Sequence, residues 1–206
     1  MRTLSPLLLC LGASAAPQSQ LQTQIAQYCR QLKGGATQSS TQKAEMAELI
    51  RSLEESQPSP SAALTIGIWN QVYCDNLSGG ITWGDGQSSR RKLIGRVTGR
   101  VTQRVLSDSA DDDLPSAYEQ RATFGRGLLE ARLVASVTPK TENPLVWSVD
   151  FETFSWRAAG FRTKSSRLPP GRGGEWRTTY VDQGWRVMRA GNRRDDQEST
   201  YVLRRV

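Results

Sequence analysis

From residue 62 onward the sequence is a succession of short β-prone runs, with no helical stretch between them. One of these runs, residues 93–106, contains GRVT twice in succession. Alternation in a strand divides this run into two faces, one with Leu93, Val97, Val101 and Val105 and the other with Arg96, Arg100 and Arg104. A four-residue period would also suit a helix, but glycine, valine and threonine are poor helix formers and valine favours strands. We therefore predict a strand.

The same alternation predicts six further strands, at residues 66–73, 128–137, 145–154, 175–181, 185–189 and 200–206. The predicted loops between them are residues 76–91, the acidic 107–116, the basic 162–174, and 190–199. Many short strands joined by turns indicate an antiparallel sandwich or barrel. A closed barrel of about eight strands is just large enough to hold one small apolar ligand.

Before residue 62 the apolar residues recur at helical spacing. One set is Leu21, Ile25, Tyr28 and Leu32, and the other is Met46, Leu49, Ile50 and Leu53. The second set follows a helix start signal at residues 39–41 and stops before the prolines near residue 60. We predict a mainly β protein with one or two N-terminal helices. Residues 45–61 form a helix and a proline linker, and residues 62–206 form the barrel domain.

The N-terminal residues carry the signs of a targeting segment. Residues 1–16 combine an early arginine, a short apolar run and small residues, as in a signal peptide. Residues 17–44 contain no acidic side chain and many hydroxyl groups, which is typical of a transit peptide, although this segment could also be a helical extension. Together, the signal-like and transit-like segments predict a plastid protein, and a two-part leader of this kind is found in algae with complex plastids. If only the signal peptide is real, the protein is secreted, which is the alternative. No segment approaches the ~20 apolar residues of a membrane span.

The chain has a formal net charge of +7 and contains no histidine. The charge makes an anionic partner plausible, and the candidate contacts are Arg96, Arg100, Arg104, Arg162, Lys164 and Arg167. Without histidine, Ser-His-Asp and Cys-His catalysis and histidine-ligated metals are excluded. The acidic run 108–113 lacks the ligand spacing of a calcium loop, and no phosphate-binding loop is present. We therefore predict a binding protein without a metal or a required cofactor, rather than an enzyme.

The three cysteines are Cys10, Cys29 and Cys74, and no two have metal-site or redox spacing. Cys10 would leave with the leader. Cys29 and Cys74 are predicted to be free thiols, with pairing in an oxidising compartment as the alternative.

Two motifs point to a family. Gly67-Ile68-Trp69 opens the first strand, as G-x-W does in lipocalin-like barrels, where the indole closes one end and a late-strand arginine stacks on it. Near the C-terminus, WRTTYVD at residues 176–182, then Arg186, Arg189 and the final YVL, resemble the signature of the plastid lipid-associated proteins, or fibrillins. Gly184 stands where that family has a second aspartate. We predict a hairpin turn at residues 182–184 with Gly184 at positive φ.

The resemblance implies a non-enzymatic, lipocalin-like barrel that associates with thylakoids or plastoglobules and binds a carotenoid, a quinone or another lipid. The candidate lining residues, chosen from the apolar strand faces, are Val97, Val101, Leu133, Trp147, Val149, Phe151, Trp176 and Tyr180. The candidates for barrel closure and the family motif are Gly67, Trp69, Asp182, Arg186 and Arg189, with Arg186 or Arg189 stacked on Trp69.

Three other functions remain open. The basic strand face could dock an acidic protein of a photosynthetic membrane complex, so that the barrel acts as an adaptor without a ligand. A pigment lyase or isomerase could use Cys74 or Asp182, although the missing histidine argues against it. Nucleic-acid binding is the weakest hypothesis, because the basic residues form no recognised module.

Overall fold

The structure is a computed structural model of the 206-residue chain. It describes residues 17–35, 38–56, 61–76, 100–109, 113–124, 128–158, 161–192 and 195–206. Two helices come first, α1 (Gln18–Gln31) and α2 (Ser40–Glu55). Ser39 and Gln42 form a capping box at the start of α2, which is where the sequence signal predicted it. None of the described helices combines the length and apolarity needed to cross a bilayer.

After a 3₁₀ turn at Ala62–Thr65, the described residues form nine antiparallel strands. They are β1 (Gly67–Cys74), β2 (Arg100–Leu106), β3 (Ala117–Phe124), β4 (Leu129–Lys140), β5 (Asn143–Ala158), β6 (Phe161–Arg167), β7 (Gly173–Val181), β8 (Trp185–Asn192) and β9 (Asp195–Arg205).

Eight of the strands close into a ring in the order β4, β3, β2, β1, β9, β8, β7, β5, and β5 pairs with β4 again. The ninth, β6, lies on the same edge of β5 as β7 and runs in the same direction. Its last residue, Arg167, is opposite Thr153, and the first residue of β7, Gly173, is opposite Asp150. β6 and β7 are therefore two halves of one strand that residues 168–172 interrupt.

The register gives the barrel two different ends. At the end that we call the closed end, β1 begins at Gly67 opposite Val105 of β2, directly after the 3₁₀ turn. At the opposite end, which we call the mouth, Leu129 of β4 lies opposite Ala158 of β5, and Ala158 lies opposite Phe161 of β6. The mouth is thus bordered by the end of β3, the start of β4, the end of β5 and the start of β6.

Apolar side chains pack on both sides of the sheet. The inward side chains form the interior cluster, which contains Trp69, Val105, Tyr118, Ala135, Val137, Trp147, Val149, Trp176, Val181, Met188 and Leu203. The outward side chains of β1, β7, β8 and β9 meet the helices in the helical cluster, which contains Leu21, Ile25, Cys29, Leu32, Met46, Ile50, Leu53, Tyr73, Tyr180, Val187 and Val202. Each large apolar side chain buried in this way contributes about 1.5–3 kcal/mol.

Two β-bulges decide which strand residues meet the helices. One lies between Gln71 and Tyr73 in β1, and the other between Thr178 and Tyr180 in β7. An extra residue reverses the alternation of the side chains that follow it. Tyr73 and Tyr180 consequently point outward to the helices, although simple alternation from Trp69 and Trp176 would put both inside.

The prediction of an antiparallel barrel preceded by one or two helices is confirmed, and the number of helices is two. The prediction of a basic loop at 162–174 was wrong, since most of its first half is β6; the predicted loop at 190–199 also lies largely in β8 and β9. Strand β3 was not predicted. Residues 93–99, with Arg96 and Val97, and most of the predicted loop at 76–91 lie outside the described residues.

Candidate ligand-binding site

The closed end is sealed by Trp69, which has no exposed surface. Its indole Nε1 donates a hydrogen bond of 2.9 Å to the carbonyl of Thr65. The guanidinium carbon of Arg205 lies 4.3 Å from the centroid of the Trp69 ring, which is a cation–π contact. Arg205 also donates to the carbonyls of Ile66 (3.2 Å) and Leu64 (2.5 Å). The arginine therefore ties the 3₁₀ turn to the indole.

The prediction that Arg186 or Arg189 stacks on Trp69 was wrong. Arg205 lies on β9, directly opposite Trp69 of β1, whereas both predicted arginines lie one strand further away on β8. Arg189 points outward and pairs with Glu54 of α2, with 3.0 Å between Nη2 and Oε2. The motif indicates a late arginine over the indole, but only the strand register identifies it.

Arg186 points into the barrel and has no exposed surface. Its guanidinium carbon lies 4.4 Å from the centroid of the Trp147 ring, and its Nε and Nη2 donate to Thr178 Oγ1 at 3.1 and 2.9 Å. Its Nη1 has no hydrogen-bond partner among the residues that the structure describes. No described carboxylate forms an ion pair with it either. The effective cost of removing one ion from water is still several kcal/mol in proteins, so an unpaired guanidinium here is unfavourable.

Burial lowers the pKa of the Arg186 guanidinium to about 9. The positive charge of Arg205 acts in the same direction, and Tyr118 opposes the shift. A group with this pKa still carries its proton at neutral pH, so the interior of the barrel contains a positive charge under ordinary conditions. A buried positive charge favours an anionic group beside it.

Six of the eight candidate lining residues lie inside the barrel. Trp147, Val149 and Trp176 belong to the interior cluster, and Phe151 packs against it. Leu133 is buried on the inward face of β4, between Ala131 and Ala135. Val101 is half-buried beside Ala122, Phe124 and Ala131, nearer the mouth. Their role in binding a ligand stays a prediction.

The other two candidates do not join this set. Val97 lies outside the described residues. Tyr180 belongs to the helical cluster, because the bulge after Thr178 turns it outward. Its hydroxyl donates to Asp182 Oδ2 and accepts hydrogen bonds from Gln18 and Gln22 of α1. Tyr180 therefore contacts the helix and not the interior.

Asp182 holds the β7–β8 hairpin and α1 together. Its Oδ1 accepts hydrogen bonds of 2.7 Å from the backbone N–H groups of Gly184 and Trp185, and its Oδ2 accepts one of 2.6 Å from Gln22. The predicted turn at 182–184 is present, but Gly184 does not have a positive φ. The aspartate carboxylate, rather than glycine, stabilises this turn.

The barrel interior also contains residues that the sequence analysis did not single out. Tyr118 packs edge-on against Trp176 with 4.8 Å between ring centroids, and its hydroxyl donates to Gln120 Oε1 at 2.8 Å. Phe154 and Trp156 lie near the mouth with their rings 5.3 Å apart. Tyr118 could not be singled out because β3 was not predicted. The bulge in the β4–β5 pairing near Val134 reverses the alternation along β5, so the sequence does not show that Phe154 and Trp156 point inward.

The candidate anion contacts that the structure describes lie on two different strands, β2 and β6. Arg100 and Arg104 are exposed on the outer face of β2, and Arg167 is exposed at the end of β6, the strand to which Arg162 and Lys164 also belong. Arg96 is outside the described residues. Next to Arg104 lies Glu119, which binds Arg121 and Arg132. Burial alone would raise the pKa of Glu119, but the hydrogen bonds from Arg132 and Arg121 outweigh it and lower that pKa.

Cys29 and Cys74 are both free and buried. Burial raises the pKa of the Cys29 thiol to about 12 and that of Cys74 to about 11, so neither thiol is activated as a nucleophile. Among the described residues, no cluster of three acidic or thiol side chains could hold a metal ion.

The fold is a closed eight-stranded antiparallel barrel. No family model and no curated protein matches the chain. Among solved structures, the chain is similar to As-p18, an extracellular fatty acid binding protein. The similarity covers 72% of this chain and 100% of that one, with 10% sequence identity and a TM-score of 0.35.

Proposed function

We propose that this chain is a non-enzymatic carrier that holds an apolar isoprenoid or lipid inside its barrel, at a plastid membrane or lipid droplet. The observation that carries the proposal is a column of inward aromatic side chains on β5. Trp147 lies near the closed end, Phe151 follows, and Phe154 and Trp156 lie toward the mouth. Trp147 has no exposed surface, whereas the other three are half-buried and keep contact with solvent.

Half-buried aromatic side chains on the inside of a closed sheet imply accessible space beside them. The side chains near the closed end are fully buried, whereas those toward the mouth are only half-buried, and we infer that a ligand would occupy the part nearer the mouth. Burial of a long apolar molecule against such side chains is driven mainly by removal of apolar surface from water and requires few polar contacts. The missing histidine and the two unactivated thiols support a binding protein rather than a lyase or isomerase.

The plastid location rests on the leader and on the resemblance to the plastid lipid-associated proteins. The packing of α1 bears on where such a leader would be removed. Leu21 and Ile25 are buried against the barrel, and Gln22 binds Asp182. Removal of residues 17–44 would uncover this surface, so we favour removal before α1, with residues 17–44 kept in the mature protein. Secretion remains the alternative location.

The surface that meets the membrane is, in this proposal, the rim of the mouth. Leu128 is 64% exposed, Leu129 46% and Phe161 79%, and strand pairing places the last two on either side of Ala158. Arg157 and Arg167 are exposed on the same hairpin. Apolar side chains that insert below the head groups, beside cations that attract anionic lipid, are typical of peripheral membrane contacts.

Ligand binding can be tested with the tryptophans. A polyene or quinone bound inside the barrel should quench tryptophan fluorescence, and Trp176→Phe should reduce the quenched signal because Trp176 lies in the interior cluster. Trp185→Phe is the matched control, since Trp185 packs against the helical cluster. The absorption spectrum and extractable lipids of protein from its native membrane identify the ligand. Absence of any bound or quenching apolar molecule would contradict the proposal.

A second function, an adaptor that docks on an acidic protein of a photosynthetic complex, is favoured by one observation. Arg100 and Arg104 are exposed on the outer face of β2, and Arg121 and Arg132 extend this basic surface over β3 and β4. A stable protein partner without pigment, released by salt and lost in Arg100→Glu with Arg104→Glu, would identify the adaptor.

A further inference from the structure

We propose that Arg186 is an anchor for a carboxylate, and that the ligand of this barrel is a long-chain apolar acid whose head group lies near the closed end. This inference rests on the proposed function, because it requires that an apolar molecule enters the barrel. It narrows the ligand class from apolar lipids in general to those that carry one anionic group.

The first argument is the state of the guanidinium. Arg186 is completely buried, Thr178 occupies only its Nε and Nη2, and Nη1 has no partner among the described residues. Trp147 covers one face of the group. Stacking on an indole and two bonds to one neutral hydroxyl leave the positive charge without a counter-ion. An arginine presents its donors in a planar fork that matches a carboxylate, so such a ligand would satisfy both the donor and the charge.

The second argument is position. Arg186 is the second residue of β8, directly after the turn at the closed end, and Trp147 is near the start of β5 at the same end. From Trp147 the inward aromatic column continues to Trp156 at the mouth, a path of roughly 30 Å along the strand at ~3.3 Å per residue. A carboxylate on Arg186 would thus place its chain along this column. No second polar anchor is needed at the mouth.

The third argument concerns access. The next inward residue of β8 on the side of the mouth is Met188, which is 1% exposed, and Ala190 follows it. Methionine is unbranched and adaptable, so its side chain can change rotamer at small cost. If the side chain of Met188 moves beside the small Ala190, a path opens from the part of the interior near the mouth to Nη1 of Arg186. The anchor therefore becomes available when a ligand enters, and it stays dry at other times.

Arg205 is the other cation near the closed end, and it is less suited to this role. Its guanidinium is stacked on Trp69 and donates to two backbone carbonyls, which belong to the seal of the closed end. Its charge still adds to the positive potential around Arg186. The charges of Arg186 and Arg205 together favour an anion at Arg186 over a neutral carbonyl or hydroxyl group.

The test compares three ligands of the same chain length, oleic acid, methyl oleate and oleyl alcohol, by displacement of the neutral dye Nile red from the full chain at neutral pH. We expect the acid to bind at least about tenfold more tightly than the ester and the alcohol, as a charge-assisted hydrogen bond would produce. In Arg186→Met the preference for the acid should disappear, while the affinity for the alcohol changes little. Arg189→Met is the matched control on the outer face of β8 and should keep the preference.

The outcomes separate the two proposals. If all three ligands bind the unaltered chain with equal affinity, the carboxylate anchor is wrong and the carrier stands. If none displaces the dye, the anchor is wrong, and the quenching of tryptophan fluorescence by a polyene or quinone then decides whether the carrier stands. Should Arg186→Met fail to fold, the comparison of acid and ester in the unaltered chain still decides, and Arg186→Lys, which keeps the charge, should retain part of the preference.

Discussion

Gly67 determines whether the closed end can form. Its φ is 139°, a value that favours glycine, and a Cβ atom at this position would lie 2.7 Å from Nη1 of Arg205. That nitrogen donates to the carbonyl of Ile66, next to Gly67. The glycine of G-x-W is therefore required for two reasons, the backbone conformation and the space that the stacked arginine occupies.

We expect Gly67→Ala to lower the free energy of unfolding by about 2 kcal/mol or more, because a Cβ is strained at this φ and displaces Arg205 from Trp69. Chemical denaturation followed by tryptophan fluorescence measures the change. Gly184→Ala is the control, since Gly184 has no positive φ and a Cβ there would come no closer than 3.8 Å to another group. Its effect should stay within about 0.5 kcal/mol. Equal effects of the two substitutions would refute this explanation of Gly67.

At the scale of residues, the sequence identified most of the interior but not its polar groups. Trp69, Trp147 and Trp176 could be placed from alternation and motif, because tryptophan in a strand face strongly favours burial. Arg186 could not be recognised as the unpaired cation. Its charge suggests an exposed or end-closing position, and only the pairing of β8 with β7 brings it to Thr178 and Trp147.

Among the structural elements, α1 depends on one turn of the barrel. Gln18 and Gln22 of α1 both reach Tyr180 and Asp182, and the same aspartate binds the backbone of the β7–β8 turn. The bulge in β7 makes this possible, since it turns Tyr180 toward the helix. The attachment of the helix and the shape of the hairpin are therefore coupled through one carboxylate.

We expect Asp182→Ala to destabilise the protein by about 1–3 kcal/mol, because it leaves several buried or half-buried donors without an acceptor. Hydrogen exchange should rise first in the amides of α1. Asp182→Asn keeps an acceptor for the turn and should have a smaller effect. Unchanged exchange in α1 after Asp182→Ala would show that the apolar contacts alone hold the helix.

The contribution of Asp182 should also depend on pH. Burial alone would raise its pKa, but the hydrogen bonds from Tyr180, Gly184, Trp185 and Gln18 hold the pKa below the ordinary value of 3.8. The contribution is therefore complete above pH 3.8 and is lost as the pH falls through the lower folded value. The stability difference between the unaltered protein and Asp182→Asn should shrink over this acid range, as measured by denaturation at successive pH values.

Sequence patterns predicted the elements best where apolar and polar residues alternate regularly. Both helices and the hairpin of β7 and β8 were predicted in this way. Strand β3 was missed because its outward residues include Glu119 and Arg121, which resemble a loop until their partner Arg132 is known. β6 was missed because it is short and basic, and its described side chains are exposed. Bulges cannot be predicted from alternation, since they interrupt the pattern itself.

At the scale of the whole molecule, the two ends of the barrel differ. Trp69 and Arg205 seal one end, where the smaller Ile68 and Val206 are exposed, and Phe161 is 79% exposed at the other end. In the proposed function, the ligand would enter and leave through the mouth, and contact between this rim and a membrane would transfer it without passage through water. The barrel was predictable from the sequence, but the direction of its opening follows only from the register of the strands.

We expect Phe161→Ser to weaken binding to vesicles of phosphatidylcholine with phosphatidylglycerol by about tenfold, because it removes the largest exposed apolar side chain of the rim. Co-sedimentation with vesicles measures the change. Ile68→Ser is the matched control, since Ile68 is 44% exposed but lies at the closed end. If both substitutions weaken binding equally, the membrane contact is not directed by the mouth.

The seal of the closed end has a kinetic consequence. Arg205 and Ile66, whose contact ties the last strand to the turn before the first, are 139 positions apart in the chain. Contacts of such long range form slowly, because a large loop must close before they contribute any stability. The helices and the local hairpins can form early, but the ring is complete only when β9 reaches β1. Until then both of its free edges are exposed to other chains, so the time needed to bring Arg205 to Trp69 sets the period in which this protein is most prone to aggregate.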